Sequence, residues 1–158
     1  MRFALTTAGL ATVTLAGTAT GVTVDFTHDM DRWAGEHAWQ VHSSGGATVA
    51  SMFIASSSLY YGGCSNLSIT TYSSVTSHFA TVTGNMDLAA GTYHVAMQDS
   101  YSDGWAWGSF VGSLSINGEG ASFPNGASAS FSFTVVPAPG AMALLGLAGL
   151  AARRRRRD

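Results

Sequence analysis

Lysine is absent from this 158-residue chain, and its seven cations are all arginines. Arg2 stands near the N-terminus and Arg153, Arg154, Arg155, Arg156 and Arg157 near the C-terminus, which leaves Arg32 as the one base of residues 22–136. The same stretch carries eight acids, Asp25, Asp29, Asp31, Glu36, Asp87, Asp99, Asp103 and Glu119, for a net charge of −7 with histidine neutral. A surface with one cation cannot displace the counterions of a phosphate backbone, so nucleic acid is excluded as a partner. Charge is scarce altogether, at 10% of residues against about 25% in an average globular protein. Cysteine occurs once, at Cys64, so no disulfide can close within the chain. With no histidine adjacent in sequence, Cys64 reads as a buried or incidental thiol rather than a nucleophile. Also missing are the G-x-S-x-G elbow, the H-E-x-x-H zinc motif and the phosphate-binding loop. His28, His37, His42, His78 and His94 lack zinc-site spacing, and most are expected as polar surface or strand-edge residues. Catalysis is not expected of this chain.

The two ends carry a different kind of information. Met1-Arg2 precedes an uncharged stretch from Phe3 to Gly17 and the small residues Thr18-Ala19-Thr20-Gly21. A positive start, a short apolar run and a small-residue exit are the marks of a secretory signal peptide, here residues 1–19, cleaved by signal peptidase after Ala19. At the other end, Val136-Pro137-Ala138-Pro139 leads into the uncharged Ala141 to Ala152 and then the five arginines. As a helix, Pro137 to Ala152 would reach about 24 Å, short of the about 30 Å of a bilayer core. Such a segment suits a transient hold in the inner membrane better than a lasting anchor. The arginine cluster would stay on the cytoplasmic side.

The sorting tail is expected over residues 137–158, and Val136 to Arg157 resemble the PEP-CTERM sorting signal. The resemblance rests on Val136, Pro137, Ala138 and Pro139, on Leu144 to Ala152, and on the terminal arginines, with Ala138 where the family has Glu. It implies recognition by an exosortase, a transpeptidase-like membrane enzyme that removes the tail as the protein reaches the cell surface or the exopolysaccharide matrix.

Between the two addresses, residues 20–136 suffice for one compact domain. No stretch shows helical periodicity. Short runs with strand character are Val22–Phe26, Ala38–His42, Thr48–Ile54, Leu67–Tyr72, His78–Thr83, Thr92–Gln98, Phe110–Asn117 and Ala129–Val135. Tyr93, Val95 and Met97 alternate with Thr92, His94 and Ala96, and Phe131, Phe133 and Val135 with Ser130, Ser132 and Thr134, as in strands with one wet and one dry face. Ser-Gly-Gly, Tyr-Gly-Gly and Asn-Gly punctuate them with turn chemistry. The expectation is an all-β fold, a single β-sandwich of jelly-roll type.

Within that domain the densest cluster of chemistry is Asp99-Ser100-Tyr101-Ser102-Asp103-Gly104-Trp105. Asp99, Asp103 and Gly104 fit positions one, five and six of a calcium loop, while Tyr101 fails the third and Phe110 stands where the bidentate Glu belongs. Calcium as cofactor would need more oxygens, for which Asp29 and Asp31 are the expected donors. The heptad also resembles the Asp-Ser-Tyr-Gly-Asp-Gly-Trp loop of secreted bacterial β-domains, with Gly91-Thr92-Tyr93 echoing the strand before it and Ser102 replacing a Gly. Tyr101, Trp105 and Trp107 are candidate glycan-binding aromatics, since flat apolar rings suit sugar faces. The leading expectation is a non-catalytic structural or binding module of the surface or matrix. A carbohydrate-binding module comes second. A secreted hydrolase comes third, because carboxyls four residues apart on one turn rarely flank a sugar bond.

Overall fold

The computed structural model describes residues 21–55, 58–72 and 77–137. The expected signal peptide and everything after Pro137 of the sorting tail lie outside these residues. Twelve strands follow in chain order: β1 (Val22–Asp31), β2 (His37–Ser43), β3 (Thr48–Ala55), β4 (Ser58–Gly62), β5 (Ser65–Thr71) and β6 (His78–Leu88). Then come β7 (Gly91–Asp99), β8 (Ala106–Trp107), β9 (Phe110–Val111), β10 (Ser113–Ile116), β11 (Glu119–Ser122) and β12 (Ser128–Val135). A 3-10 turn, Ala34–Glu36, joins β1 to β2. Among the described residues the fold is all-β, and every pairing is antiparallel.

One five-stranded sheet has the order β11-β10-β1-β6-β5 and the other β12-β7-β2-β3-β4, while β8 and β9 pair as a separate two-stranded ribbon. Period-two alternation explains the core between the two larger sheets. On β1, Val24, Phe26, His28 and Met30 are buried; on β2, His37, Trp39 and Val41; on β7, Tyr93, Val95 and Met97. The apolar ones among these residues merge into one cluster with Met52, Val82, Met86, Leu114, Ile116, Phe123 and Phe133. Contacts across the sheets include Phe26 against Trp39, with centroids 5.6 Å apart at 65°. Each such side chain removed from water contributes about 1.5–3 kcal/mol. Gly84 pairs with Phe26, and a Cβ there would come within 2.8 Å of both the Phe26 ring and Leu67. The missing side chain is what admits the ring.

The elements depart from the sequence expectation in instructive ways. β1 runs five residues past Phe26, and a register shift between Met30 and Asp31 turns both inward. The bulge breaks the alternation that would have sent Asp31 to solvent. The expected strand Phe110–Asn117 is split at Gly112 into β9 and β10, which belong to different sheets. β11 is an edge strand with three of its four residues exposed, too polar to announce itself, and β4 is also an edge. Asn117-Gly118, with φ of 56° and 81°, is a two-residue hairpin turn joining β10 and β11. The expected jelly-roll winding is not found. β2–β3, β3–β4, β5–β6 and β10–β11 pair as chain neighbours within one sheet, whereas two jelly-roll Greek keys would send such connections across.

Core and edge should respond differently to truncation. Met97→Ala, at a wholly buried position, is expected to cost about 2–5 kcal/mol. Ile69→Ala, 53% exposed on β5, should stay within about 1 kcal/mol. Urea denaturation midpoints of the two variants check the contrast.

Candidate functional site

Two of the five histidines are not surface residues. His28 and His37 are buried at inward positions of β1 and β2, which lie in opposite sheets. They belong to a hydrogen-bonded row: Tyr61 Oη to His28 Nδ1 at 3.1 Å, His28 Nε2 to His37 Nδ1 at 3.1 Å, and His37 Nε2 to Asp31 Oδ1 at 3.0 Å. Asp31 Oδ1 also accepts the Trp33 backbone N–H at 2.9 Å. A carboxylate only accepts, so the His37 proton sits on Nε2. A neutral His37 then accepts at Nδ1 from His28 Nε2–H, and a neutral His28 accepts at Nδ1 from the Tyr61 hydroxyl. Every donor points the same way, toward Asp31.

The environment keeps both rings neutral. Burial, then the neighbouring His37, holds the His28 pKa well below its ordinary value. Burial also lowers His37, against the opposing pull of Asp31 and Asp99. Burial, then Cys64, raises the Tyr61 phenol, which therefore remains a donor. Trp105 closes the row. Its ring stacks on His37 at 4.2 Å and 6°, lies 5.1 Å from His28, and is itself fully buried.

That placement explains the heptad from Asp99 to Trp105. Asp99 ends β7 opposite His37. Its Oδ2 accepts the backbone N–H groups of Asp103 at 2.8 Å and Gly104 at 3.0 Å, which folds the loop back on itself. Gly104 has φ +89°, and a Cβ there would meet Asn125 Cα at 2.5 Å, so no other residue fits. Trp105 then enters the core, its N–H bonded to Phe123 O at 2.7 Å and its Nε1–H to Gln98 O at 3.1 Å. Ser100 N–H to Glu36 O, at 3.1 Å, ties the loop to the 3-10 turn.

The carboxylates gather differently from the sequence expectation. Carboxylate oxygens of Glu36, Asp99 and Asp103 lie within 4.8 Å of one another. Asp31 is instead engaged by His37 and Trp33. Asp29, on the outer face of β1, accepts from Thr81 Oγ1 at 2.6 Å and Ser113 Oγ at 3.3 Å and stands 3.6 Å from His78 Nε2. Neither expected donor joins the cluster; Glu36, which the sequence argument passed over, does. Burial, then Asp99, Asp103 and Asp31, raises the Glu36 pKa.

The candidate glycan aromatics also separate. Trp105 is in the core, so it presents no face to a sugar, whereas Tyr101 is 74% and Trp107 43% exposed. Trp107 pairs edge-to-face with Trp33, also exposed, at 5.6 Å. Cys64 is half-buried, its thiol pushed by burial up to about 11, so it stays protonated at neutral pH. Of the remaining histidines, His42 bonds Thr48, His94 bonds Ser132, and His78 stacks on Tyr72 and Phe110. No helix among the described residues is long and apolar enough to cross a membrane. Comparison with protein-family models, with characterised proteins and with solved structures finds no match.

The row of neutral rings sets an acid limit on stability. The unfolded chain takes up protons at His28 and His37 near their ordinary 6.5 while the folded chain resists them. The stabilisation is therefore full above about pH 6.5 and is lost as pH falls below it. Glu36 acts in the opposite sense at lower pH. Urea midpoints from pH 8 to pH 5 should fall, and His28→Leu should flatten that slope; an unchanged slope would place its origin elsewhere. Tyr61→Phe leaves His28 Nδ1 without a donor and is expected to cost about 1–3 kcal/mol at pH 8.

Proposed function

We propose that this chain is a secreted protein sorted to the cell surface or exopolysaccharide matrix, whose two facing sheets form a β-sandwich acting as a non-catalytic structural or binding module. The observation that carries the reading is the C-terminal sequence: Pro137-Ala138-Pro139, a short apolar stretch and the run Arg153 to Arg157. This resembles a PEP-CTERM signal and implies processing by an exosortase, with signal peptidase acting at the other end. In support, the last ladder pair is Val135 with Gly91, and Val136 is 69% exposed immediately before the first proline of the tail. Among the described residues, β12 therefore ends its pairing two residues before the first proline of the tail. The absence of catalysis in this reading rests on how the polar groups are spent. Asp99 is 5% exposed with one oxygen tied to two amides, and the histidine row is closed over by Trp105.

A carbohydrate-binding role is the second reading, and Trp33 and Trp107 favour it. They form an exposed aromatic pair next to the acidic loop, with Tyr101 on that loop. Rings so placed offer apolar faces to a pyranose and carboxylates to its hydroxyls.

Mass spectrometry of the mature protein from its host tests the first reading. The expected polypeptide starts at Thr20 and ends before Arg153; recovery with all five terminal arginines would overturn it. A pulldown on the host's matrix polysaccharide tests the second. Trp107→Ala should lose retention, and equal retention of both proteins would dispose of the glycan role.

A further inference from the structure

Among the described residues the buried polar side-chain atoms are nearly all hydrogen-bonded, and one of the two exceptions belongs to a residue beside two further carboxylates. Among the described residues, Asp99 Oδ1 and Trp39 Nε1 are buried without a hydrogen-bond partner. Trp39 lies among aromatic rings in the core. Asp99 lies beside Glu36 and Asp103 instead, with a carboxylate oxygen of each of the three within 4.8 Å of the others. Its Oδ2 is fully used by the Asp103 and Gly104 amides. A buried carboxylate oxygen with nothing to accept is expensive, and two further carboxylates beside it add repulsion rather than a donor. No lysine exists in the chain and the domain's single arginine, Arg32, makes no ion pair with these acids among the described contacts.

We propose that Glu36, Asp99 and Asp103 form a calcium-binding site in which the unpartnered oxygen of Asp99 is a ligand. The donor set selects the metal. All three ligands are hard oxygens, and oxygens this far apart can share one ion at the about 2.3–2.6 Å calcium takes. His37, the ladder partner of Asp99, is committed to His28 and Asp31, which disfavours zinc and other imidazole-seeking ions. The burial gradient suits an ion that keeps water: Asp99 is buried, Glu36 intermediate and Asp103 exposed. Water and loop carbonyls complete the six to eight oxygens from the solvent side. Burying charge without a counter-ion is costly enough that the cluster makes most sense with a cation present.

The site is independent of the sorting reading, because these three acids lie outside the tail and mass spectrometry of the termini does not report on them. The test is a calcium titration of the full chain stripped with chelator, followed by calorimetry and by thermal unfolding. Calcium is expected to bind one ion per chain and raise Tm by several degrees at tenfold excess over Kd, with magnesium at the same concentration doing markedly less. Asp99→Asn risks the loop itself, so the informative variants are Glu36→Gln and Asp103→Asn, which leave the Asp99–amide bonds in place. Each should fold, keep or raise its metal-free Tm, and weaken calcium binding at least tenfold. Terbium substituted for calcium should luminesce when indole is excited, since Trp33 and Trp105 flank the site in sequence, and this signal should vanish in both variants. No heat and no Tm shift in the wild type up to millimolar calcium would overturn the proposal. So would binding that both variants retain undiminished.

Discussion

The hydrogen-bonded row from Tyr61 through His28 and His37 to Asp31 is the constraint around which the two sheets are arranged. Its members come from β4, β1, β2 and the bulged end of β1, so it cannot form unless both sheets are in register. An apolar seam of the same size would tolerate sliding by a residue or a rotated rotamer. A row in which each donor has one acceptor does not, because any slip strands a buried polar group. Burying three polar side chains and part of a fourth gains little stability on its own account. What the row supplies is selection of one packing over its near neighbours, and the register shift at Asp31 is the local distortion that makes it reachable.

The Asp99–Trp105 loop stands at the end of that row and serves it in two ways. Trp105 excludes water from the histidines, and Asp99 holds the turn that delivers Trp105. The same carboxylate faces Glu36 and Asp103 on its other side. One residue thus links the order of the core to the charge on the surface. Neutralising the acids from outside would ease a field that now favours protonation of His37, where Asp99 acts against burial.

Alternation made much of this legible in advance, and its limits explain the rest. Tyr93, Val95 and Met97 announced the inward face of β7, and Phe133 and Val135 that of β12. Extending the pattern Val24, Phe26 by two steps lands on His28 and Met30, and stepping back from Val41 and Trp39 lands on His37. Polarity alone argued for ending both strands short of the histidines, and tertiary pairing overrode it. The Asp31 bulge leaves no such trace, because an extra residue in a strand breaks the period that would reveal it. Glu36 escaped notice because its partners are more than sixty residues away and meet it only through the bond from Ser100 to its carbonyl. Trp105 and Trp107 looked equivalent in a two-residue spacing. Gly104, with its left-handed backbone, and the turn between β8 and β9 send one inward and leave the other in solvent.

β7 fixes a polarity on the molecule. Its first residue, Gly91, pairs with Val135, and the preceding strand ends at Leu88, which pairs with Val22. Both chain exits therefore share one pole. The last residue of β7, Asp99, lies about 26 Å away along the strand, at the opposite pole with Trp33, Glu36 and Trp107. Any attachment made past Pro137 therefore leaves the carboxylates and exposed indoles turned away from the point of attachment.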